Sequence, residues 1–309
     1  MKCDGRKEAQ KAHGAKAFLC SRRFFPAAPS VKTVPMKIEA ALSPTELPAL
    51  ANRDLRRTVC VVFDVLRATS TFVTALHHGA KAIVPVSEIA EALAFRRKQP
   101  EVLLGGEREG VKIRAAQTGG VDFDLGNSPR EYTPAVVRGK IIISSTTNGT
   151  RALRACAGAS TVLAASFLNL AATVRFVSQR RPQELLLVCA GTRDNVATED
   201  VLAAGALCEL LLDAFSMNPG APASRRHLEK TPKGHAGETP ALPSVSAATA
   251  LDAWRKSKSD LLKVVSEAEN ARRLLAIPEL RDDVAFCLQR DICNLVAILH
   301  PDGALGASI

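Results

Sequence analysis

The sequence predicts an α/β protein, a three-layer α/β/α arrangement on a largely parallel or mixed sheet. Short apolar, β-branched runs alternate with helix-period segments from residue 58 to residue 215, and the intervening segments have the length of crossover helices. Several of the runs are followed by polar, glycine-bearing loops, as expected where strands of such a sheet hand over to helices.

The patterned body opens at Met36 with MKIEAALSP. TVCVVFDV (58–65) is a strand by its length and branching, and TSTFVTALHHGA (69–80) has helical spacing that closes at Gly79. KAIVPV (81–86) reads as strand, SEIAEALAFRRKQ (87–99) as a helix with an acidic first turn and a basic last one, and EVLLGGE (101–107) as strand. GKIIISSTTNGTRALRACAGA (139–159) is a strand, a hydroxyl-rich loop and a helix. STVLAAS (160–166), LNLAATVRFVSQR (168–180), ELLLVCAG (184–191) and EDVLAAGALCELLLDAF (199–215) continue the alternation. The remainder, DAWRKSKSDLLKVVSEAENARRLLAI and DVAFCLQRDICNLVAIL, reads as helical.

Two stretches break the pattern. Residues 1–35 are basic without an apolar period and are expected to be a disordered or non-native extension. Residues 216–246, rich in Pro, Gly, Ser and Ala, are expected to be a mobile insertion in a single domain spanning 36–309. Six of the ten net positive charges fall in 1–35 and two in 217–243, so the basicity lies outside the expected fold. With one Trp, one Tyr and no basic stripe among aromatics, nucleic-acid binding is not expected. No run of 18 apolar residues is present and the apolar stretch AKAFLC is broken at once by SRRFF, so neither a membrane span nor a secretory signal is expected. A cytoplasmic location is the expectation. The eight cysteines form no CxxC pair and sit mostly in apolar contexts, as inert buried thiols do, and the six histidines build no HExxH motif.

The chemistry gathers at the ends of strands. Asp64 ends one, Glu107 another, STTNGT (145–150) follows a third and CAGTRDNVATED a fourth. Alone, an Asp after a strand is more often a helix cap or turn residue, and STTNGT is equally an NG turn with a Thr cap. Together they suggest one anion site. Thr146, Thr147, Thr150, Asn148 and the backbone at Gly149 offer donors ahead of a helix near Arg151, and Arg67, Thr69, Ser70 and Thr71 offer a second group beside Asp64. An acid beside a phosphate makes sense if a divalent cation separates them, and the carboxylates for Mg²⁺ are Asp64, Glu107, Glu199 and Asp200. The haloacid dehalogenase mechanism lacks its second aspartate in Asp64-Val65-Leu66, and neither a Walker lysine motif nor a CxxxxxR loop occurs.

Six ordered blocks carry a family resemblance: DVLRATST (64–71), GGEREG (105–110), FDLGNSPREY (123–132), STTNGTRAL (145–153), ASFLN (165–169), and CAG followed by ED and AAGAL (189–207). In order and spacing the chain resembles the 2-phosphosulfolactate phosphatase family over about residues 36–300. The resemblance implies a Mg²⁺-dependent acid phosphatase that converts 2-phospho-3-sulfolactate to 3-sulfolactate and phosphate, a step toward coenzyme M. On this reading Mg²⁺ is held by Asp64 with Glu107 and Asp200 or Glu199. Arg67 and the STTNGT donors then stabilise the phosphoryl oxygens, and Asn127 and Ser128 hold substrate oxygens. Arg108, Arg130 and Arg151 are candidates for the substrate's sulfonate and carboxylate. Residues 1–35 and 216–246 have no counterpart in the family pattern, and Ala197 and Thr198 depart from it. Two rival readings are a phosphatase for other 2-phosphorylated hydroxy acids such as phospholactate, and a non-catalytic anion or nucleotide binder of the same fold. The expected partner is a small anionic phosphorylated substrate, with a homodimer as the candidate assembly.

Overall fold

The computed structural model describes residues 35–217 and 241–308. The expected extension at 1–35 therefore lies outside the described residues but for Pro35, as does 218–240 of the expected insertion. In chain order the elements are β1 (Met36–Ala41), α1 (Leu47–Ala51), β2 (Thr58–Phe63), α2 (Ala68–His77), β3 (Ala82–Val86), α3 (Ile89–Lys98), β4 (Leu103–Arg108) and β5 (Val111–Lys112). Next come α4 (Ala115–Thr118), α5 (Pro134–Val137), β6 (Ile141–Ser145), α6 (Gly149–Ala155), β7 (Thr161–Ala165), α7 (Leu170–Arg180), β8 (Glu184–Cys189) and α8 (Thr198–Met217). The chain continues with β9 (Ala241–Pro243), α9 (Val245–Ser257), α10 (Leu261–Ser266), α11 (Glu269–Leu275), α12 (Arg281–Cys287), β10 (Val296–Leu299) and β11 (Leu305–Ser308).

The strands form one mixed sheet in the order β5-β4-β6-β3-β11-β10-β7-β2-β8-β1-β9. β2 pairs in parallel with β7 and β8, and β6 in parallel with β3 and β4, as the crossover helices require. β10 and β11 form an antiparallel pair wedged between β7 and β3. Here the helical expectation for NLVAIL is overturned: Val296–Leu299 is a strand. A four-residue apolar run has no period of its own, and the open edges of β7 and β3 decide it. The boundaries of 216–246 also narrow. α8 runs on to Met217, Ala241–Pro243 pairs with Met36–Ile38 at the edge of the sheet, and Ser244 caps α9 by accepting from Ala247 N at 3.3 Å.

Helices cover both faces of the sheet. On one face Val59, Val61 and Phe63 of β2 and Leu185 and Leu187 of β8 pack against Leu207 and Leu211 of α8 and Trp254 of α9. On the other, Cys60 and Val62 meet Phe72, Val73 and Leu76 of α2 together with Ile83, Ile142, Val162, Ala297 and Leu305 from five further strands. Every residue of α2 from Ala68 to Leu76 is buried, so this helix has no solvent face. The reason is a curl in the sheet. β6 and β2 are separated in it by β3, β11, β10 and β7, roughly 24 Å in a flat sheet at about 4.8 Å per strand. Yet a Cβ on Gly149, just after β6, would stand only 2.9 Å from Asp64 Oδ2, just after β2. The sheet wraps around α2 until the carboxyl ends of β2 and β6 meet.

Among the described residues no helix is long and apolar enough to cross a membrane. Cys60, Cys156, Cys189, Cys208, Cys287 and Cys293 are buried and unpaired, as their apolar contexts lead one to expect.

Candidate active site

Where the curl brings strand ends together lies a cleft of about 270 Å³. Seven residues singled out from the sequence line it: Asp64, Arg67, Glu107, Arg108, Asn127, Thr147 and Asn148. Leu66, Glu109, Gly110, Thr192, Arg193, Arg273 and Leu274 complete the wall.

Asp64 serves as cap and cleft acid at once. Its Oδ1 accepts from Ala68 N at 3.2 Å, and its carbonyl accepts from Thr69 N at 2.9 Å, which starts α2 where β2 ends. The same carboxylate faces Gly149. A Cβ there would also lie 2.7 Å from the Ala68 methyl, so only glycine lets α6 begin this close. Burial pushes the Asp64 carboxyl up to about 7, with the nearby charges of Glu107 and Glu199 adding to the effect and the bond from Ala68 N opposing it.

Glu107 fastens two loops. Its Oε1 accepts from Thr147 N at 3.0 Å and Thr147 Oγ1 at 2.9 Å, and its Oε2 accepts from Gly110 N at 2.7 Å. The β4–β5 turn and the STTNGT loop are thereby held against each other. Arg67, only 3 % exposed, donates to Asp283 at 2.6 Å and to the Gly110 carbonyl at 2.5 Å. Asp283 is itself fully buried and also accepts from Ser128 Oγ at 2.7 Å. Arg108 donates to the carbonyls of Glu107, Ser145 and Ser87 and to Ser145 Oγ.

Several expected ligand contacts are instead spent inside the protein. The hydroxyls of Thr69 and Ser70 donate to the carbonyls of Asp64 and Val65, five residues back, at 2.9 and 2.8 Å, and Thr71 Oγ1 donates to the Asn127 carbonyl at 2.8 Å. All three residues are fully buried, because the curl leaves α2 no face toward the cleft. Thr146 Oγ1 bonds Thr150 Oγ1 at 3.0 Å and accepts from Thr150 N at 3.4 Å in the first turn of α6, while Asn148, at the N-cap position, makes no side-chain cap bond. Ser128 is occupied by Asp283, and Arg130 lies at the surface within 3.3 Å of Asp282. Arg151 donates to the Arg193 carbonyl at 2.8 Å and lines an adjoining cleft that shares Arg108 and Thr147 with the first.

The expected four-carboxylate metal set is also revised. Asp200 accepts from Val65 N at 2.7 Å and Gly191 N at 3.0 Å, bracing the ends of β2 and β8 against each other rather than lining the cleft. Glu199 Oε1 accepts from Asn270 Nδ2 at 3.0 Å, while its Oε2 is buried without a partner. Burial raises both carboxyls well above the usual range for Asp200 and upward for Glu199. Among the described residues no three His, Cys, Asp or Glu side chains come together as a metal cluster. A hard cation with few protein ligands still suits the donors present. The amide oxygens of Asn127 and Asn148 are buried and unpartnered beside Asp64, and the Glu199 oxygen is orphaned nearby in a field of carboxylates. Mg²⁺ takes one or two carboxylates with amide, water and phosphate oxygens. The residues fit it.

Sequence reading missed the contribution of α11. Asn270 donates to Glu199 and to Thr192 Oγ1, and Arg273 donates to Asn270 Oδ1 at 2.7 Å, bringing a cation to the cleft from a helix near the chain's end. Asn270 and Arg273 stand three residues apart beside the buried Ala271 and Leu274. That polar pair on an apolar face was the available signal.

A cleft of oxygen acceptors and arginines at the strand ends of an α/β sheet is the setting of a binding site for a small anion. Comparison with known proteins makes the class specific. The sequence model of the 2-phosphosulpholactate phosphatase family matches residues 45–302, and the chain belongs to that family of phosphoric monoester hydrolases. It is 38 % identical over 245 residues to a probable 2-phosphosulfolactate phosphatase of Pseudothermotoga lettingae, covering 79 % of this chain and 90 % of that one. A protein of the same description from Thermotoga maritima is 35 % identical, covering 77 % and 88 %, and one from Nostoc punctiforme is 31 % identical, covering 84 % and 95 %.

Proposed function

We propose that the chain is a Mg²⁺-dependent phosphatase that hydrolyses 2-phospho-3-sulfolactate to 3-sulfolactate and phosphate, within the route to coenzyme M. The observation that carries the reading is the pair of unpartnered amide oxygens of Asn127 and Asn148 beside Asp64, in a cleft whose remaining wall bears four arginines. Relatives described as acting on this substrate support it along most of their length. The six buried, unpaired cysteines suit a reducing compartment, which supports a cytoplasmic location.

Asp64 with the amide oxygens of Asn127 and Asn148 would hold the cation. When bound, Mg²⁺ screens the phosphate charge and acidifies a water for attack. Arg67 uses one donor on Asp283 and one on Gly110, leaving the rest of its five N–H groups for phosphoryl oxygens. Its ion pair fixes the guanidinium before substrate arrives, so little reorganisation is needed as charge builds in the transition state. Glu107 does the same for the loops, by holding Thr147 and Gly110 in one place. Leu66 and Leu274 bring apolar surface to the wall and exclude water from part of the cleft.

The test is phosphate release from 2-phospho-3-sulfolactate across a Mg²⁺ titration, in the natural chain and in Asp64→Asn. The variant should melt no lower than the natural chain, lose turnover by about a hundredfold or more, and need more Mg²⁺ for half its residual rate. Near-normal turnover in Asp64→Asn would refute the role of Asp64. No release at any Mg²⁺ concentration, with binding retained, would make the protein an anion binder instead.

A further inference from the structure

The four arginines of the cleft are not equivalent. Arg67 is neutralised by Asp283, and Arg108 is spent on carbonyls and a serine hydroxyl. Arg193 is exposed at the rim, its carbonyl held by Arg151. Arg273 differs from all three. One Nη2–H goes to Asn270 Oδ1 at 2.7 Å, and its Nε–H is buried with no partner. An unpaired buried donor on a permanent cation costs free energy unless something supplies the acceptor.

The donor sits in the cleft wall, which Arg273 and Gly110 share. Nε lies 3.7 Å from where a Cβ on Gly110 would stand, and Gly110 has φ +84, so the turn needs its glycine and packs its backbone, with no side chain, against this side of the guanidinium. Asn270 is in turn held by Glu199 and Thr192, so the guanidinium is aimed by the loop after β8 and the start of α8. Asn270 stands between Arg273 and Glu199, and no Arg273–Glu199 ion pair forms among the described residues. The charge of Arg273 thus reaches Glu199 only across Asn270, drawing that carboxyl down against the larger upward push of burial without pairing with it, and its Nε–H still lacks an acceptor.

We infer that Arg273 is a specificity-determining residue that binds the second acid group of the substrate, a sulfonate or carboxylate oxyanion on the carbon chain, while the phosphoryl group lies against Asp64, Asn148 and Arg67. This rests on the proposed phosphatase reading for the position of the phosphate. A planar guanidinium with Nε and an Nη edge available matches two oxygens of one oxyanion, and sulfonate and carboxylate share that geometry. The cleft, at about 270 Å³, has room for a small molecule bearing two or three acids.

The experiment measures kcat and KM of the natural protein, Arg273→Gln and Arg273→Lys on four phosphate esters. These are 2-phospho-3-sulfolactate, 2-phospholactate (no sulfonate), 2-phosphooxyethanesulfonate (no carboxylate) and ethyl phosphate (neither). Arg273→Gln should lose about 10- to 100-fold in kcat/KM, mainly through KM, on substrates carrying the recognised acid, and hardly any on ethyl phosphate. A loss shared with 2-phosphooxyethanesulfonate assigns the sulfonate, and one shared with 2-phospholactate assigns the carboxylate. Arg273→Lys, which keeps the charge but not the fork, should lose less, and it replaces Arg273→Gln if that variant does not fold. Equal losses on all four esters, or none on any, would overturn the assignment. If the natural protein releases phosphate from none of them, the phosphatase reading fails, and calorimetry with 3-sulfolactate decides this inference alone. Binding weakened in the variants supports it, whereas equal binding or none in the natural protein overturns it.

Discussion

The junction of β2 with α2 and the helix α11 reach the same cleft with one arginine each, and they differ in what that arginine is tied to. Arg67 is bound to a fully buried aspartate and a backbone carbonyl, whereas Arg273 is held by a neutral amide with a donor left over. A buried charge already matched by its opposite is a fixture of the scaffold that can still lend spare donors. One held by an amide, with its nearest carboxylate beyond pairing distance, keeps a donor for a ligand. The sequence around the two sites points the other way: DVLRATST is the conspicuous block and ENARRLL is unremarkable.

The comparison breaks most visibly at Asp283. Asp283→Ala should destabilise the protein by about 3–5 kcal/mol, because it strands the Arg67 guanidinium in a buried site. Denaturant unfolding measures this directly, and a loss under about 1 kcal/mol would mean that Arg67 is not anchored as described. A smaller effect is expected from pH. Burial raises the folded Asp64 carboxyl to about 7, above its unfolded value, so the contribution of its neutral form is complete below about pH 4 and is lost as pH rises through 7. Without divalent cations the natural protein should therefore lose more melting temperature between pH 5 and pH 8 than Asp64→Asn does. Parallel curves would show that Asp64 ionises without penalty. The smallest effect belongs to the rim, where Arg130→Ala should cost no more than about 1 kcal/mol in denaturant unfolding, since its half-exposed guanidinium meets Asp282 in water and reaches the buried Asp283 only at 3.8 Å.

Much of this architecture could be read from the sequence. The strands from TVCVVFDV to ELLLVCAG and the helices between them stand within a few residues of their expected positions, because branching and period are local properties. Asp64, Glu107 and Asn148 reach the cleft as strand-end logic requires, and Asn127 lines it as the family resemblance implies. What could not be read is how a hydroxyl is spent. Thr69, Ser70 and Thr71 are equally suited to a phosphate and to a carbonyl, and only the complete enclosure of α2 decides for the carbonyl. The same holds for Asp200, whose two oxygens brace strand ends brought together by the sheet. VAIL became a strand for a reason residing elsewhere in the chain, the unfilled edges of β7 and β3.

The curl of the sheet also has a consequence for the order in which the molecule can be assembled. Its two halves, β4-β6-β3 on one side and β7-β2-β8 on the other, are joined through β10 and β11, and the link to β3 is a single residue pair, Leu305 with Ile83. Synthesis passes Asp200 with the strands of both halves made, before the strands that bridge them exist. Closing such a ring late spans long loops, a cost that slows folding more than it weakens the product. The hairpin Val296–Ser308 that completes the sheet between the two halves is thus the last part of it to be made.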